Sequence, residues 1–308
     1  MFAQRRTRTW PRLRLLHPSL LLCAALAGWP CLVHASTIYM PRGESVEDER
    51  GDFAFELLNL ALKKSGADLQ VKPTETRMPQ SRAIVELAAG NGRVHIVATM
   101  TSRQRERQLL PIRIPLTRGL IGWRIALLRA EQRDLLRDVR LLSDLKHFSV
   151  AQGHDWPDMD ILHHNGLNAY PVANYDGLFG MLKAGRIDWL PRSANEIWGE
   201  AARHPTLAID PYLVLHYPAA DYFFVNRNNA ALAEQVRRGL ELALADGSYE
   251  QLFLLHYGAL IRRANFDQRR VIELSNPLLT RETPLARKEL WFTLNDLKRY
   301  RQPDKISD

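Results

Sequence analysis

Residues 93–129, RVHIVATMTSRQRERQLLPIRIPLTRGLIGWRIALLR, narrow most sharply what this chain can fold into. Two strand-like runs, residues 94–100 and 120–128, flank a polar, arginine-rich turn and an apolar loop broken by Pro111 and Pro115. Buried strands therefore deliver a solvent-facing basic segment between them. A basic loop at a strand end is a natural ligand contact, because the sheet fixes its position while the loop stays accessible.

These residues resemble the solute-binding proteins of bacterial ABC uptake systems, in the amino-acid (family 3) branch of the type II periplasmic binding fold. In that family a strand ends in a segment of small residues, Met, Thr and Arg. The Thr hydroxyl and the Arg guanidinium clamp a ligand carboxylate before the chain crosses a hinge into a second lobe. Laid on this chain without gaps, the Thr falls on Ser102 and the Arg on Arg105. A planar guanidinium holds a carboxylate bidentately and a neighbouring hydroxyl adds a third donor, so the substitution keeps the chemistry. The alternative is that Arg103, Arg105 and Arg107 form a solvated charge run.

The chain has 308 residues, 46% of them hydrophobic and 25% charged, which suits a folded globular protein with room for two lobes. Its formal charge of +8 would invite a nucleic-acid reading. However, five of the 42 basic residues (Arg5, Arg6, Arg8, Arg12 and Arg14) lie in the first 14 positions and no acid precedes Glu44, leaving 37 bases against 34 acids beyond residue 35. That remainder is +3, and no nucleic-acid partner is expected. Residues 1–35 combine an arginine-rich start, an apolar run at 20–27 and a small-residue junction, Val33-His34-Ala35, before Ser36. This is the pattern of a cleaved export signal, and the apolar run is too short to span a bilayer. Cys23 and Cys31 both fall inside it, so the exported chain is expected to be thiol-free in the periplasm.

Residues 37–40 read as a first strand running into Pro41-Arg42-Gly43, where the resemblance makes Tyr39 a candidate wall of the cleft. Residues 52–65 carry an apolar stripe at helical spacing, start at Asp52 and stop at Gly66. After a short strand at 69–71, a helix is expected to open near Arg77-Met78-Pro79-Gln80 and to run to Ala89. Free N–H groups and the positive dipole end there would let Arg77, Gln80 and Arg82 serve an anion. Strand, helix, strand in this order predicts βαβ units and a mixed sheet. Further on, a strand at 149–152 feeds Gly153-His154-Asp155-Trp156-Pro157 and a helix start, a polar-ligand site in which Trp156 could stack on the solute. His163-His164 lacks the spacing of a metal site, so no metal and no cofactor are expected.

Residues 175–184 predict an amphipathic helix ending at Gly185, followed by RIDWLPRS. This resembles the family's GRxD, strand, Asp element, whose last Asp pairs with an amino acid's ammonium. Here that position holds Ser193, with Arg192 beside it. A cation where a carboxylate is usual tilts the expected ligand toward an acidic or polyhydroxylated solute, unless Glu196 restores the charge. Residues 212–218 and 221–226 resemble the return crossing to the first lobe, and helices are expected at 229–246 and 248–257.

The resemblance covers about residues 37–260. It implies an α/β, two-lobe fold with mixed sheets, flanking helices and a two-strand hinge near 124–129 and 217–222. The expected division is a signal at 1–35, a first lobe at 36–126 and 220–264, a second lobe at 127–219 and an extension at 265–308. The implied function is capture of a small polar, anionic or carboxylate-bearing solute by a periplasmic monomer, for an ABC permease in the inner membrane. Its candidate contacts are Tyr39, Arg77, Ser102, Arg105, Trp156, Arg192 and Ser193. A sensory or accessory binder would share all of these residues. A dehydratase-like enzyme would need a positioned acid or base, for which Glu196, Asp155 and His154 are the available groups, and no catalytic residue is assigned. N-terminal sequencing of the exported protein is expected to begin at or within a few residues of Ser36. A full-length, membrane-embedded product would overturn the export reading.

Overall fold

A computed structural model describes residue 2, residues 36–46, residue 48 and residues 50–300. The expected signal and its cleavage junction lie outside the described residues. Within residues 36–308, a compact unit, the order is β1 (Ser36–Met40), α1 (Asp52–Ser65), β2 (Leu69–Pro73), α2 (Gln80–Ala89), β3 (Ile96–Met100), α3 (Arg103–Gln108), β4 (Leu110–Ile112) and β5 (Trp123–Arg129). There follow α4 (Leu142–Leu145), β6 (Ser149–Gly153), α5 (Pro157–His164), β7 (Asn168–Val172), α6 (Tyr175–Lys183), β8 (Trp189–Ser193), α7 (Ile197–Arg203), β9 (Leu207–Ile209), β10 (Leu213–His216) and β11 (Asp221–Val225). The described chain closes with α8 (Ala230–Ala245), α9 (Ser248–Ala264), β12 (Arg270–Glu273) and α10 (Asp296–Tyr300).

In the first lobe β1 and β2 pair in parallel, while β11 lies between β3 and β4, antiparallel to both. His95 N–H donates to Tyr39 O (2.9 Å) and ties β1 to the start of β3. The second lobe holds one sheet in the order β12-β10-β5-β8-β6-β7, with β9 added to β5. Its central strand β5, WRIALLR, is buried on both faces for six of its seven residues, as a sheet-centre strand requires. Because β5 pairs with β8 from Arg124 onward, the first connection between lobes precedes Trp123, upstream of the expected 124–129. A short 3₁₀ turn, Leu120–Gly122, occupies the start of the run expected to be strand. The second connection, between β10 and β11, spans 217–220.

The arginine-rich segment is a helix rather than a turn. Ser102 Oγ accepts from Arg105 N–H at 3.2 Å, capping the start of α3. Helix α1 ends in left-handed Gly66 and α8 begins at Asn229, whose side chain accepts from Leu232 N–H at 3.2 Å. Helices α1 and α8 pack so closely that a Cβ on Gly239 would lie 1.8 Å from Ala61 O. Gly239→Ala is therefore expected to force the pair apart, costing about 1–3 kcal/mol and lowering Tm by several degrees. A calorimetric scan showing an unchanged Tm would contradict this packing.

Candidate functional site

The two lobes face each other across a cleft with a cavity of about 170 Å³, below the roughly 300–1,000 Å³ of drug-sized sites. The first lobe contributes the chain after β1 (Arg42, Glu44, Asp48, Arg50) and, deeper, Thr117, Asp221 and Tyr257. The second contributes Arg124 from the start of β5, Trp156 and Asp158 at the start of α5, and Arg192, Asn195 and Glu196 after β8. Charged groups of both signs thus meet in a small volume, and each buried charge must find a partner.

Arg192 is fully buried. Its Nε and Nη2 donate to Glu200 at 2.8 and 2.7 Å, and Nη2 lies 2.9 Å from Glu196 Oε2. Tyr175 OH donates to the same Glu200 at 2.8 Å. Burial alone would raise the Glu200 carboxyl, but the Arg192 charge and these donors carry it below the usual range. Arg124 repeats the pattern. It stands 2.5 Å from Asp158 Oδ1, its Nε donates to Tyr217 OH at 2.9 Å, and Tyr217 OH donates in turn to Asp158. In the first lobe Arg50 grips Asp48 with two bonds of 2.6 and 2.7 Å and reaches Glu44 at 3.2 Å. Its guanidinium then projects over the Trp156 and Tyr175 rings of the second lobe, 4.8 and 4.5 Å from their centroids.

Asp221 differs from these. Its Oδ1 accepts from both the N–H (3.1 Å) and the hydroxyl (2.9 Å) of Thr117, and no cation pairs with it among the described residues. Burial pushes its carboxyl up to about 6, against the pull of the Thr117 donors.

Of the residues expected at the cleft, Trp156 and Arg192 line it. Arg192, however, is already neutralised by Glu200 and Glu196, so it does not add the free positive charge its sequence position implied. Arg105 lies behind the wall, where burial pushes its guanidinium down to about 10. It donates to Thr99 Oγ1 (2.6 Å), Met100 O (2.8 Å) and Gln80 Oε1, and across to Asp155 O of the second lobe (3.0 Å). Beside it Ser81 N–H donates to Asp155 Oδ2 at 2.8 Å, so this edge of the cleft is an inter-lobe latch. The Ser102 hydroxyl is used in capping α3. The Ser193 hydroxyl is spent on Leu120 O (3.3 Å) and Asn195 Oδ1. Arg77 supports the loop after β1 by donating to Gly43 O (2.7 Å) and Ser45 O, and Tyr39 packs on His95; both border a separate surface depression.

Sequence reading missed Arg50, Arg124, Asp158 and Asp221. Arg124 did carry a signal, as a lone charge inside the apolar run of β5, and Asp221 carried another as the single acid opening DYFFV.

No family model matches the chain, and the search of curated proteins finds no relative. Solved structures do match. An ancestral arginine-binding protein bound to arginine is 18% identical, covering 73% of this chain and 99% of that one with a TM-score of 0.55. An amino acid ABC transporter substrate-binding protein from Streptococcus pneumoniae, bound to L-arginine, is 13% identical over 72% of this chain and 93% of that one, with a TM-score of 0.55. A histidine kinase sensor domain with similarity to periplasmic binding proteins is 18% identical over 73% and 97%, with a TM-score of 0.56. The chain has the two-lobe α/β fold of the type II periplasmic binding proteins.

The Arg192–Glu200 pair yields a direct test. Glu200→Ala leaves the buried guanidinium with Glu196 alone, and equilibrium denaturation at neutral pH is expected to show a loss of up to about 3–5 kcal/mol, the cost of breaking a buried pair. Because the Glu200 carboxyl is held low when folded, the pair stabilises above the ordinary carboxylate range and is lost as pH falls through the folded value. The gap between wild type and variant should therefore narrow in acid. A gap that is constant with pH would show that the pair contributes nothing.

Proposed function

We propose that this protein is an exported solute-binding protein. It would close a first lobe (36–126 and 220–264) and a second (127–219) over a small carboxylate-bearing polar molecule and act as a periplasmic monomer. The observation that carries the reading is the cleft itself, where charged side chains from both lobes converge on a cavity of a small metabolite's size. Binding without turnover is the simplest use of such a site, since its acids and bases are mostly locked in pairs with one another.

The charge inventory refines the ligand. Sequence reading pointed to an anion, yet Asp221, Asp158, Glu196, Asp48 and Glu44 face the same space as Arg42, Arg50, Arg124 and Arg192. A cleft of mixed sign favours a zwitterion, such as an amino acid, over a simple anion. Its ammonium belongs near Asp221, which lacks a cation of its own among the described residues, and its carboxylate near Arg192, whose Nη1 has no hydrogen-bond partner there although its charge is paired. Two of the neighbours above are bound to arginine, which supports the amino-acid class. Delivery to an ABC permease fits this reading. A sensory role without transport is the second reading, favoured by the likeness to a kinase sensor domain.

Native mass spectrometry of the purified protein, followed by calorimetric titration with amino acids and dicarboxylates, tests this directly. Amino-acid binding is expected to weaken by about ten- to a hundredfold in Asp221→Asn, the worth of one charged hydrogen bond. In wild type it should also fall as pH drops through about 6, where Asp221 takes up a proton. Dicarboxylate binding that is tighter than amino-acid binding and indifferent to Asp221→Asn would overturn the zwitterion assignment.

A further inference from the structure

The described part of the C-terminal extension runs across both lobes and both connections between them. After α9 the chain enters the second lobe as β12, parallel to β10, and Leu274 N–H continues that ladder to His216 O at 2.8 Å. Ser275 and Asn165, at the end of α5, exchange bonds of 2.8 and 3.0 Å. Asn276 Nδ2 then donates to Pro218 O, within the β10–β11 connection, at 2.8 Å. From there the segment passes to the first lobe. Leu278 O accepts from Arg103 N–H (3.1 Å) at the start of α3, the Thr280 hydroxyl meets Glu106 of the same helix (3.3 Å), and Arg287 pairs with Glu241 of α8 through bonds of 2.7 and 3.0 Å.

It ends on the other connection. Phe292 N–H donates to Arg118 O at 2.7 Å, and Trp291 lies on Gly119 so closely that a Cβ there would sit 2.6 Å from its ring. Arg118 and Gly119 have φ of 52° and 72°, two successive left-handed residues, and for Arg118 this conformation is costly without support. Tyr300 bonds the Arg118 side chain and Glu250, and Phe292 packs edge-on to Trp123, the first residue of β5.

Hinge motion needs a few residues free to change φ and ψ. Here a backbone carbonyl on each connection is bonded to the same strap, which also holds α3, the helix whose Arg105 latches the lobes at Asp155. We infer that residues 274–300 are a hinge brace that restrains the opening of the two lobes and so regulates access to the cleft. The brace concerns motion and depends on the proposed function only for what opening admits. Its test needs no ligand, so a cleft that takes no amino acid would leave the result readable.

The test uses the full-length chain with Cys23→Ser and Cys31→Ser, carrying spin labels at Glu75→Cys on the first lobe and Asp176→Cys on the second. Pulsed dipolar spectroscopy then reads the distance between the lobes. The wild-type strap is expected to give one narrow distribution. The triple variant Asn276→Ala, Thr280→Val, Arg287→Ala, none of whose positions lines the cleft, should give a broader one shifted to longer distance. An unchanged distribution overturns the brace. If the triple variant does not fold, Arg287→Ala alone, which cuts a half-exposed pair, is read in the same way: broadening supports the brace and identity with wild type overturns it.

Discussion

A guanidinium taken out of water must be given a partner, and the cleft is arranged around that requirement. Transfer of an ion to a low-dielectric interior costs several kcal/mol even after relaxation, so an unpartnered arginine between the lobes would unfold its surroundings or drive them apart. Each of Arg50, Arg105, Arg124 and Arg192 meets a carboxylate or a set of carbonyl and hydroxyl acceptors. Arginine suits this role better than lysine because its planar fork spreads donors over two carboxylate oxygens, as Arg192 does on Glu200 and Arg50 on Asp48. The aromatic faces of Trp156 and Tyr175 complete the shell, lying within cation–π reach of both Arg50 and Arg192.

The elements were readable where local pattern and burial agree. The apolar run of β5, the stripe of α1 closed by Gly66 and the Asn229 cap of α8 are all short-range signals, and each element stands within a few residues of its expected place. The RQRERQ segment was misread as a turn because six polar residues carry no apolar period. What makes it helical is the Ser102 cap together with the burial of Arg105, whose acceptors come from distant segments, Gln80 of α2 and Asp155 O of the other lobe among them.

The site was legible in position more than in charge. Trp156, just after β6, and Arg192, at the end of β8, could be placed at the cleft because the ends of those strands line it. That Arg192 is neutral in effect could not be read, because its partner Glu200 lies eight positions on, across a change from strand to helix. Asp48 and Arg50 follow β1 in a stretch with no recognisable motif, and only the fold sets Arg50 opposite Tyr175. The general limit is physical: spacing reports which side chains share an element, whereas pairing across elements is fixed by tertiary packing.

How the pairs divide between the lobes bears on motion. Arg192 and Glu200 both belong to the second lobe, as do Arg124 and Asp158, while Arg50 and Asp48 both belong to the first. Separation of the lobes therefore carries each pair away whole and strands no ion, so opening avoids the penalty that splitting a buried pair would impose. Besides the strap of residues 274–300, contacts that span the lobes include Arg105 to Asp155 O, Ser81 N–H to Asp155, Arg50 over two rings, and Arg263 of α9 over the Trp198 ring of α7. At about 1.5–3 kcal/mol for a hydrogen bond to or from a charged group and about 1–2 kcal/mol for a partly desolvated cation–π contact, each is individually modest. A contact of that size is of the order of a small ligand's own contacts, so under the proposed function a solute would have to favour the closed form by more than these contacts already do in order to shift the balance. Because the charges are paired within each lobe, a strongly charged cleft of this kind can open without splitting a buried ion pair, and the resistance to opening falls on the contacts between lobes and on the strap.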